Sequence, residues 1–171
     1  MNNKMNEQYI DEMLRTGTEF FGVFNDPTEI ASSWENYEKI SLLYSSAYKF
    51  KTDAHGKLLG WTVVIPTSRE LANDFIERRI TEKELLEKTD TSTAQNALYL
   101  FVAFIVPEYR KKGYAKNMFL EQIKEAAGDK LKEVLLFAWP VTEEGGKTMD
   151  AIERNLGVEI LRRKGAEKVD K

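Results

Sequence analysis

Two hydrophobic periods alternate along this chain, and the switches between them mark its elements. Near the start, Tyr9, Ile10, Met13 and Leu14 recur at helical spacing, which predicts a helix over Glu7–Arg15 stopped by Gly17. An apolar stretch, Phe20–Phe24, follows. Asp26-Pro27-Thr28-Glu29 then combines a capping side chain, a proline suited to the first helical position and a glutamate three residues after the cap. Ile30, Trp34, Tyr37, Ile40 and Tyr44 carry a helical stripe onward, and such an aromatic stripe reads as core packing. At Tyr48 and Phe50, alternating with Lys49 and Lys51, the period drops to two, as in a half-buried strand. The turn residues Asp53-Ala54-His55-Gly56 join it to a second strand over Leu58–Ile65, ended by Pro66. Thr67 with Glu70 and Thr81 with Glu84 are capping boxes, so Ser68–Lys88 reads as two short helices or one bent one. The i,i+4 pairs Lys83–Glu87 and Glu84–Lys88 mark a solvated face there. Thr89–Asn96 is a polar loop.

The second half is more regular. Ala97–Val106 has no polar alternation, the signature of a strand covered on both faces. A helix over Tyr114–Ala127 follows, with Gly128 past its end. Val134–Trp139 reads as a second covered strand, Glu143–Leu156 as a helix stopped by Gly157, and Val158–Leu161 as a last strand. Strands alternating with helices imply parallel pairing, while the front half supplies an antiparallel hairpin. The expected fold is α/β: a three-layer mixed sheet with helices on both faces.

Composition narrows the function. The chain has 171 residues, 42% hydrophobic and 31% charged, an ordinary balance for one globular domain. It has no cysteine, which excludes disulfides, thiolate nucleophiles and cysteine metal sites, and His55 is its one histidine. His55 lies in the expected turn, where an exposed residue is the ordinary case, so no metal site is expected. The longest apolar run, Ala97–Val106, falls well short of the roughly 20 residues of a membrane helix. The polar N-terminus has no signal-peptide core, so a soluble cytoplasmic protein is expected. A net charge of −3 weighs against a nucleic-acid partner. The basic run Arg162-Arg163-Lys164 reads as solvated.

The segment that carries chemistry is Val106-Pro107-Glu108-Tyr109-Arg110-Lys111-Lys112-Gly113-Tyr114-Ala115-Lys116. It joins the most apolar strand to a helix start, where backbone N–H groups and about half a positive charge favour an anion. Gly113 keeps a side chain away from that anion, Ala115 keeps the first turn small, and Arg110, Lys111 and Lys112 add positive charge. Pro107 has no N–H and ends strand pairing on its side. Each residue suits a pyrophosphate.

Pro-x-x-Arg-x-x-Gly-x-Ala after an apolar strand resembles the acetyl-CoA-binding motif of the GCN5-related N-acetyltransferases, the GNAT superfamily, here Arg110-Lys111-Lys112-Gly113-Tyr114-Ala115. The resemblance is clear over 97–136, extends to 161 and is loose before 97. It implies the acyl-CoA N-acyltransferase fold across 1–171. Residues 97–161 would bind acetyl-CoA, the divergent 1–96 would form the acceptor side, and 162–171 would be a tail. It implies that the strands Ala97–Val106 and Val134–Trp139 splay apart and that pantetheine pairs with backbone groups of Phe104, Ile105 and Val106. The pyrophosphate would sit on N–H groups between Lys111 and Lys116, with Arg110, Lys112, Gly113, Tyr114 and Ala115 around it.

The resemblance weakens at the catalytic end. Family members often carry a tyrosine in the helix after the second splayed strand, and alignment on Gly157 puts Glu153 there. An ordinary carboxylate, with a pKa of about 4.3, is ionised at neutral pH and cannot donate a proton. Glu153 therefore reads as a solvated helix residue. Neither apolar strand carries a carboxylate, Glu108 follows on the turn, and no catalytic residue is assigned. Trp139 with Pro140 and the pair Gly145-Gly146 border the expected cleft.

The implied activity is transfer of an acetyl group from acetyl-CoA to a primary amine on a small molecule or peptide, by direct attack in a ternary complex. Glu143, Glu144, Asp150 and Glu153 on the rim would suit a cationic acceptor. The alternatives are a catalytically silent acyl-CoA-binding module of the same fold, and a nucleotide- or phosphate-binding protein using the same helix start. The chain lacks the glycine-rich Lys-Ser/Thr loop and the three-glycine fingerprint that the last would carry. Monomer and homodimer remain open.

Overall fold

The computed structural model describes residues 3–21 and 26–163. Its order is α1 (Asn3–Phe21), α2 (Trp34–Leu43), β1 (Tyr48–Thr52), β2 (Leu58–Thr67), α3 (Arg69–Ile76), α4 (Glu82–Lys88), β3 (Ala97–Ile105), α5 (Tyr114–Ala127), β4 (Leu135–Ala138), α6 (Glu143–Leu156) and β5 (Ile160–Arg162). The five strands form one sheet in the order β1-β2-β3-β4-β5. β1 pairs with β2 and β2 with β3 antiparallel, whereas β3 with β4 and β4 with β5 are parallel.

Strand side chains alternate between two cores. Trp61, Val63, Ile65, Tyr99 and Phe137 face α1 to α4, packing with Tyr9, Met13, Ile40, Phe75 and Leu85. Val64, Leu98, Leu100 and Leu136 face the other way, against Phe119 and Ile123 of α5 and Met149 and Ile152 of α6. Helices therefore cover both faces of a mixed sheet, the expected three layers. Gln122, buried in α5, fastens that helix to β2 and the chain entering β1: its side-chain oxygen accepts from Thr62 at 2.7 Å, and its amide donates to the Ala47 carbonyl at 2.9 Å.

Several boundaries differ from the sequence reading, each for an identifiable reason. Gly17 lies inside α1, which runs to Phe21, and a Cβ there would stand 2.6 Å from Ser32 Oγ. Its glycine serves close packing, not helix termination. The end of the Phe20–Phe24 stretch, residues 22–24, lies outside the described residues. Asp26 starts no helix: its carboxylate accepts from Thr28 N–H and Oγ, a local turn, and α2 begins eight residues later behind the cap of Ser33. Pro66 sits inside β2, opposite Leu98, beyond the last β1 partner of that strand at Val63. Its missing N–H therefore breaks no β1 bond. Ser68, not Thr67, caps α3, because Thr67 is held in the strand by Thr89 Oγ at 2.7 Å. The Thr81–Glu84 capping box forms as read. Glu84 is spent on that cap, and Lys83–Glu87 is the ion pair, at 3.8 Å. β4 and β5 are shorter or shifted by up to two residues.

Among the described residues one carboxylate is buried. Glu82 accepts from the Tyr99 hydroxyl at 2.6 Å and from Ile30 N–H at 2.9 Å. Burial raises its pKa, and the two hydrogen bonds and the positive charge of Arg163 oppose the rise only in part. Between the ordinary carboxylate range and that raised value, the folded chain holds a proton that the unfolded chain has released. Stability is then fully present below the window and falls as pH rises through it. We expect Glu82→Gln, which keeps an acceptor for Ile30, to gain stability relative to wild type as pH rises from about 4 to 7. Melting temperatures across that range check this, and a constant difference would contradict it.

Candidate functional site: an open edge of β3 beside an uncapped helix

The pairing of β3 with β4 stops half-way along β3. Its register runs from Ala97↔Leu135 to Leu100↔Ala138 and ends there, although β3 continues to Ile105. On the other side of β3, the register against β2 slips at the same point: Val63 pairs with Val102 but Val64 with Leu100, leaving Phe101 as an extra residue. Such a bulge bends and twists its strand. Beyond Ala138 the chain continues into Trp139 and Pro140, and proline cannot donate to a ladder. β3 and β4 therefore part at Phe101. Phe101 and Val102 are half-buried and Ala103 is exposed, which corrects the expectation of a strand covered along its whole length.

Backbone directions follow from one bond. Val106 N–H donates to the Leu59 carbonyl at 2.9 Å. Antiparallel alternation then turns Val102, Phe104 and Val106 toward β2, and Ala103 and Ile105 toward the open side. Of the three residues expected to offer backbone groups, Ile105 faces the gap, while Phe104 and Val106 are engaged with β2. Ala103, missed in the sequence, joins Ile105. Only the register shows this, because the parity of a strand is invisible until its partner is known. Gly60 is a second omission. It lies opposite Ile105, and a Cβ on it would stand 2.3 Å from the Phe104 carbonyl oxygen.

The loop after β3 builds the other half of the site. Pro107–Tyr109 form a single 3-10 turn. Lys111 and Gly113 both adopt left-handed conformations, with φ of +62° and +78°. For lysine this costs about 1–2 kcal/mol, so the rest of the loop must hold it there. Gly113 caps α5 without any side-chain bond, and the first helical bond runs from Asn117 N–H to Gly113 O at 3.0 Å. The N–H groups of Tyr114, Ala115 and Lys116 therefore have no intrahelical acceptor. No acidic residue lies in that first turn, and a Cβ at Gly113 would meet nothing nearer than Asn117 Nδ2 at 4.0 Å. These free N–H groups form a backbone cradle, open to solvent, of a kind that can hold an anion.

The basic side chains spread around the cradle. Lys111 and Lys112 are exposed, and Lys112 Nζ lies 4.7 Å from the Tyr109 ring centroid. Lys116 is half-buried. Lys51, not singled out in the sequence, reaches across from β1 to place Nζ 4.9 Å from the Tyr114 ring. Arg110 turns back: its Nε donates to the Ile105 carbonyl at 2.7 Å, and its guanidinium lies 5.7 and 5.9 Å from the rings of Phe20 and Phe104.

The rim differs from its reading. Glu153 is not a solvated residue: it accepts from Ile160 N–H at 2.8 Å and pairs with Arg162 at 3.3 Å, tying β5 to α6. Asp150 pairs with the same arginine at 2.7 Å, and Glu143 with Lys147 at 2.6 Å. Three of the four rim carboxylates are thus paired from within, by two cations. Arg162 and Arg163 are half-buried, not solvated, and Arg163 lies 4.2 Å from the Phe75 ring and 5.0 Å from Trp139. Trp139 is itself half-buried beside the point where the strands part. Gly145 lies in the first turn of α6, its N–H bonded to Thr142 Oγ at 3.0 Å. His55 is exposed in its turn. Among the described residues no group of three or more His, Cys, Asp or Glu side chains could hold a metal ion. No described helix is long and apolar enough to cross a membrane.

No protein-family model matches the chain, and no curated protein matches it. A solved structure with a similar arrangement is that of Chaetomium thermophilum Naa20 in complex with a bisubstrate analogue, at 14% identity and a TM-score of 0.42. The match covers 69% of this chain and 53% of that one, so the chain spans about half the length of that protein.

Proposed function

We propose that this chain is an N-acyltransferase that moves an acetyl group from acetyl-CoA to a primary amine. The observation that carries the reading is the joint arrest of β3–β4 pairing and bulging of β3 at Phe101, which opens the strand edge beside an uncapped helix start. An extended arm with amide groups fits the first feature and a pyrophosphate the second. Coenzyme A carries both, joined in one molecule. ATP or NAD has the phosphates without a peptide-like arm, so the open edge favours coenzyme A.

In this reading Ala103 and Ile105 hold the pantetheine amides, and the N–H groups of Tyr114, Ala115 and Lys116 hold the pyrophosphate. Lys111, Lys112 and Lys51 supply screening charge. The acceptor enters from the face lined by Phe101, Val102 and Trp139, which pack toward the α1–α4 core. The amine nitrogen bonds to the thioester carbonyl carbon, the C–S bond breaks, and sulfur leaves with the electron pair. Positioning of the two reactants supplies most of the acceleration. The amine sheds its proton to solvent, since β3 and β4 carry no carboxylate and both Glu82 and Glu153 are engaged elsewhere.

The test is thiol release from acetyl-CoA with a panel of primary amines, including amino acids and peptides. Transfer should exceed the amine-free rate, and it should rise about tenfold per pH unit below the pKa of the amine, with no enzyme group limiting it. Binding of acetyl-CoA without transfer to any amine would favour the second reading, a silent acyl-CoA-binding module.

A further inference from the structure

Resting on the acyl-CoA reading, we propose that Arg110 is a gate on the pantetheine groove: its guanidinium occupies the Ile105 carbonyl on the open edge of β3 and must leave it before the arm can pair there.

Arg110 stands in the stretch read as a phosphate cradle, yet its side chain does not extend toward the helix start. It folds back along β3, and its Nε–H takes the one acceptor that Ile105 offers to the gap. Two aromatic faces hold it there. Phe104 lies under the guanidinium from β3, and Phe20 flanks it from α1. The two rings contact each other edge-to-face, with centroids 5.2 Å apart, and Phe104 stacks in turn on Trp61 at 4.6 Å. The perch is thus assembled from α1, β2 and β3, three elements distant in sequence, and the loop itself contributes only Arg110.

A planar, delocalised cation suits this perch and an ammonium does not: the guanidinium can stack on rings while its Nε–H lies in the plane of the carbonyl. A bound arm and a perched Arg110 compete for the space in front of one carbonyl, because the guanidinium lies against Ile105 O on the open side of the strand. Closure then lowers the apparent affinity for ligands with the arm, by the fraction of molecules in which the gate is open. It leaves ligands without the arm untouched.

Two ligands separate these effects: coenzyme A and 3′-phospho-ADP, its nucleotide end without the pantetheine arm. The readout is the ratio of their dissociation constants, coenzyme A over 3′-phospho-ADP, by calorimetric titration of the full chain. Arg110→Lys keeps the charge and loses the Nε–H donor, and should lower that ratio about tenfold, with 3′-phospho-ADP affinity within about twofold of wild type. Phe20→Ala leaves the loop intact, loosens the perch and should lower the ratio in the same direction. An unchanged ratio in both variants would overturn the gate, as would a higher ratio, which would make Arg110 a support of the arm. If wild type and both variants bind neither ligand, the acyl-CoA reading fails and the gate with it.

Discussion

Gly60→Ala should lower the melting temperature by about 5–12 °C, the equivalent of about 2–4 kcal/mol, and weaken coenzyme A binding by more than about tenfold at temperatures where the variant is folded. Gly60 is the third residue of the buried strand β2, where an alanine would ordinarily be tolerated. Here its Cβ would stand 2.3 Å from the Phe104 carbonyl oxygen, 2.6 Å from Ile105 Cδ1 and 3.0 Å from Ile105 Cα. Two of these atoms are backbone, so no rotamer change relieves the overlap. β3 must move away from β2 over the segment that presents Ile105 to the gap. Stability and ligand affinity therefore fall together, because one displacement causes both. Thermal unfolding and a coenzyme A titration measure the two effects. A melting temperature within 2 °C of wild type would show that the close approach is not maintained.

Gly113→Asp separates the two effects instead. The residue sits at φ +78°, which aspartate tolerates better than most side chains, at a cost of about 1 kcal/mol. As the N-cap of α5 it has no side chain of its own to offer the free N–H groups. An aspartate there would complement the helix dipole, returning up to about 1 kcal/mol. Stability should stay within about 3 °C of wild type. The same carboxylate sets a negative charge beside the N–H groups that the proposed reading assigns to the ligand's phosphates. Loss of two charge-assisted hydrogen bonds alone predicts a fall in coenzyme A affinity of about a hundredfold or more. Gly113→Ala is the contrast, since a methyl group meets nothing nearer than Asn117 Nδ2 at 4.0 Å and carries no charge, and it should weaken binding by much less. Equal losses in the two variants would point to backbone conformation, and not anion binding, as the function of this glycine.

The second half of the chain was legible because its elements are long and their signals local. Tyr114–Ala127 and Glu143–Leu156 begin and end where periodicity and the glycines at 128 and 157 place them. The helix start after Gly113 was legible for the same reason: its free backbone groups belong to consecutive residues. The first half was harder. Asp26 and Gly17 carry signals that local rules assign to a helix start and a helix stop, and tertiary contacts overrode both. Ile30 is held by Glu82, 52 residues away, and Gly17 lies where Ser32 packs. At the site, strand parity, the bulge at Phe101, the approach of Gly60 and the return of Arg110 to Ile105 depend on which strand lies beside which. Glu153 shows the limit of motif alignment: its position suggested a vacant catalytic place, and its carboxylate turns out to hold β5 in the sheet.

The most direct measurement is thermal unfolding of the wild-type chain with saturating acetyl-CoA, ATP or NAD, in parallel with Gly113→Asp. A ligand at 100 times its dissociation constant adds about 2.7 kcal/mol. For a chain of this length, that is an expected rise of roughly 5–10 °C. The expected result is such a rise with acetyl-CoA in wild type, little with ATP or NAD, and none in Gly113→Asp. No rise with saturating acetyl-CoA, or the same rise in both proteins, would contradict a coenzyme A site at the open edge of β3.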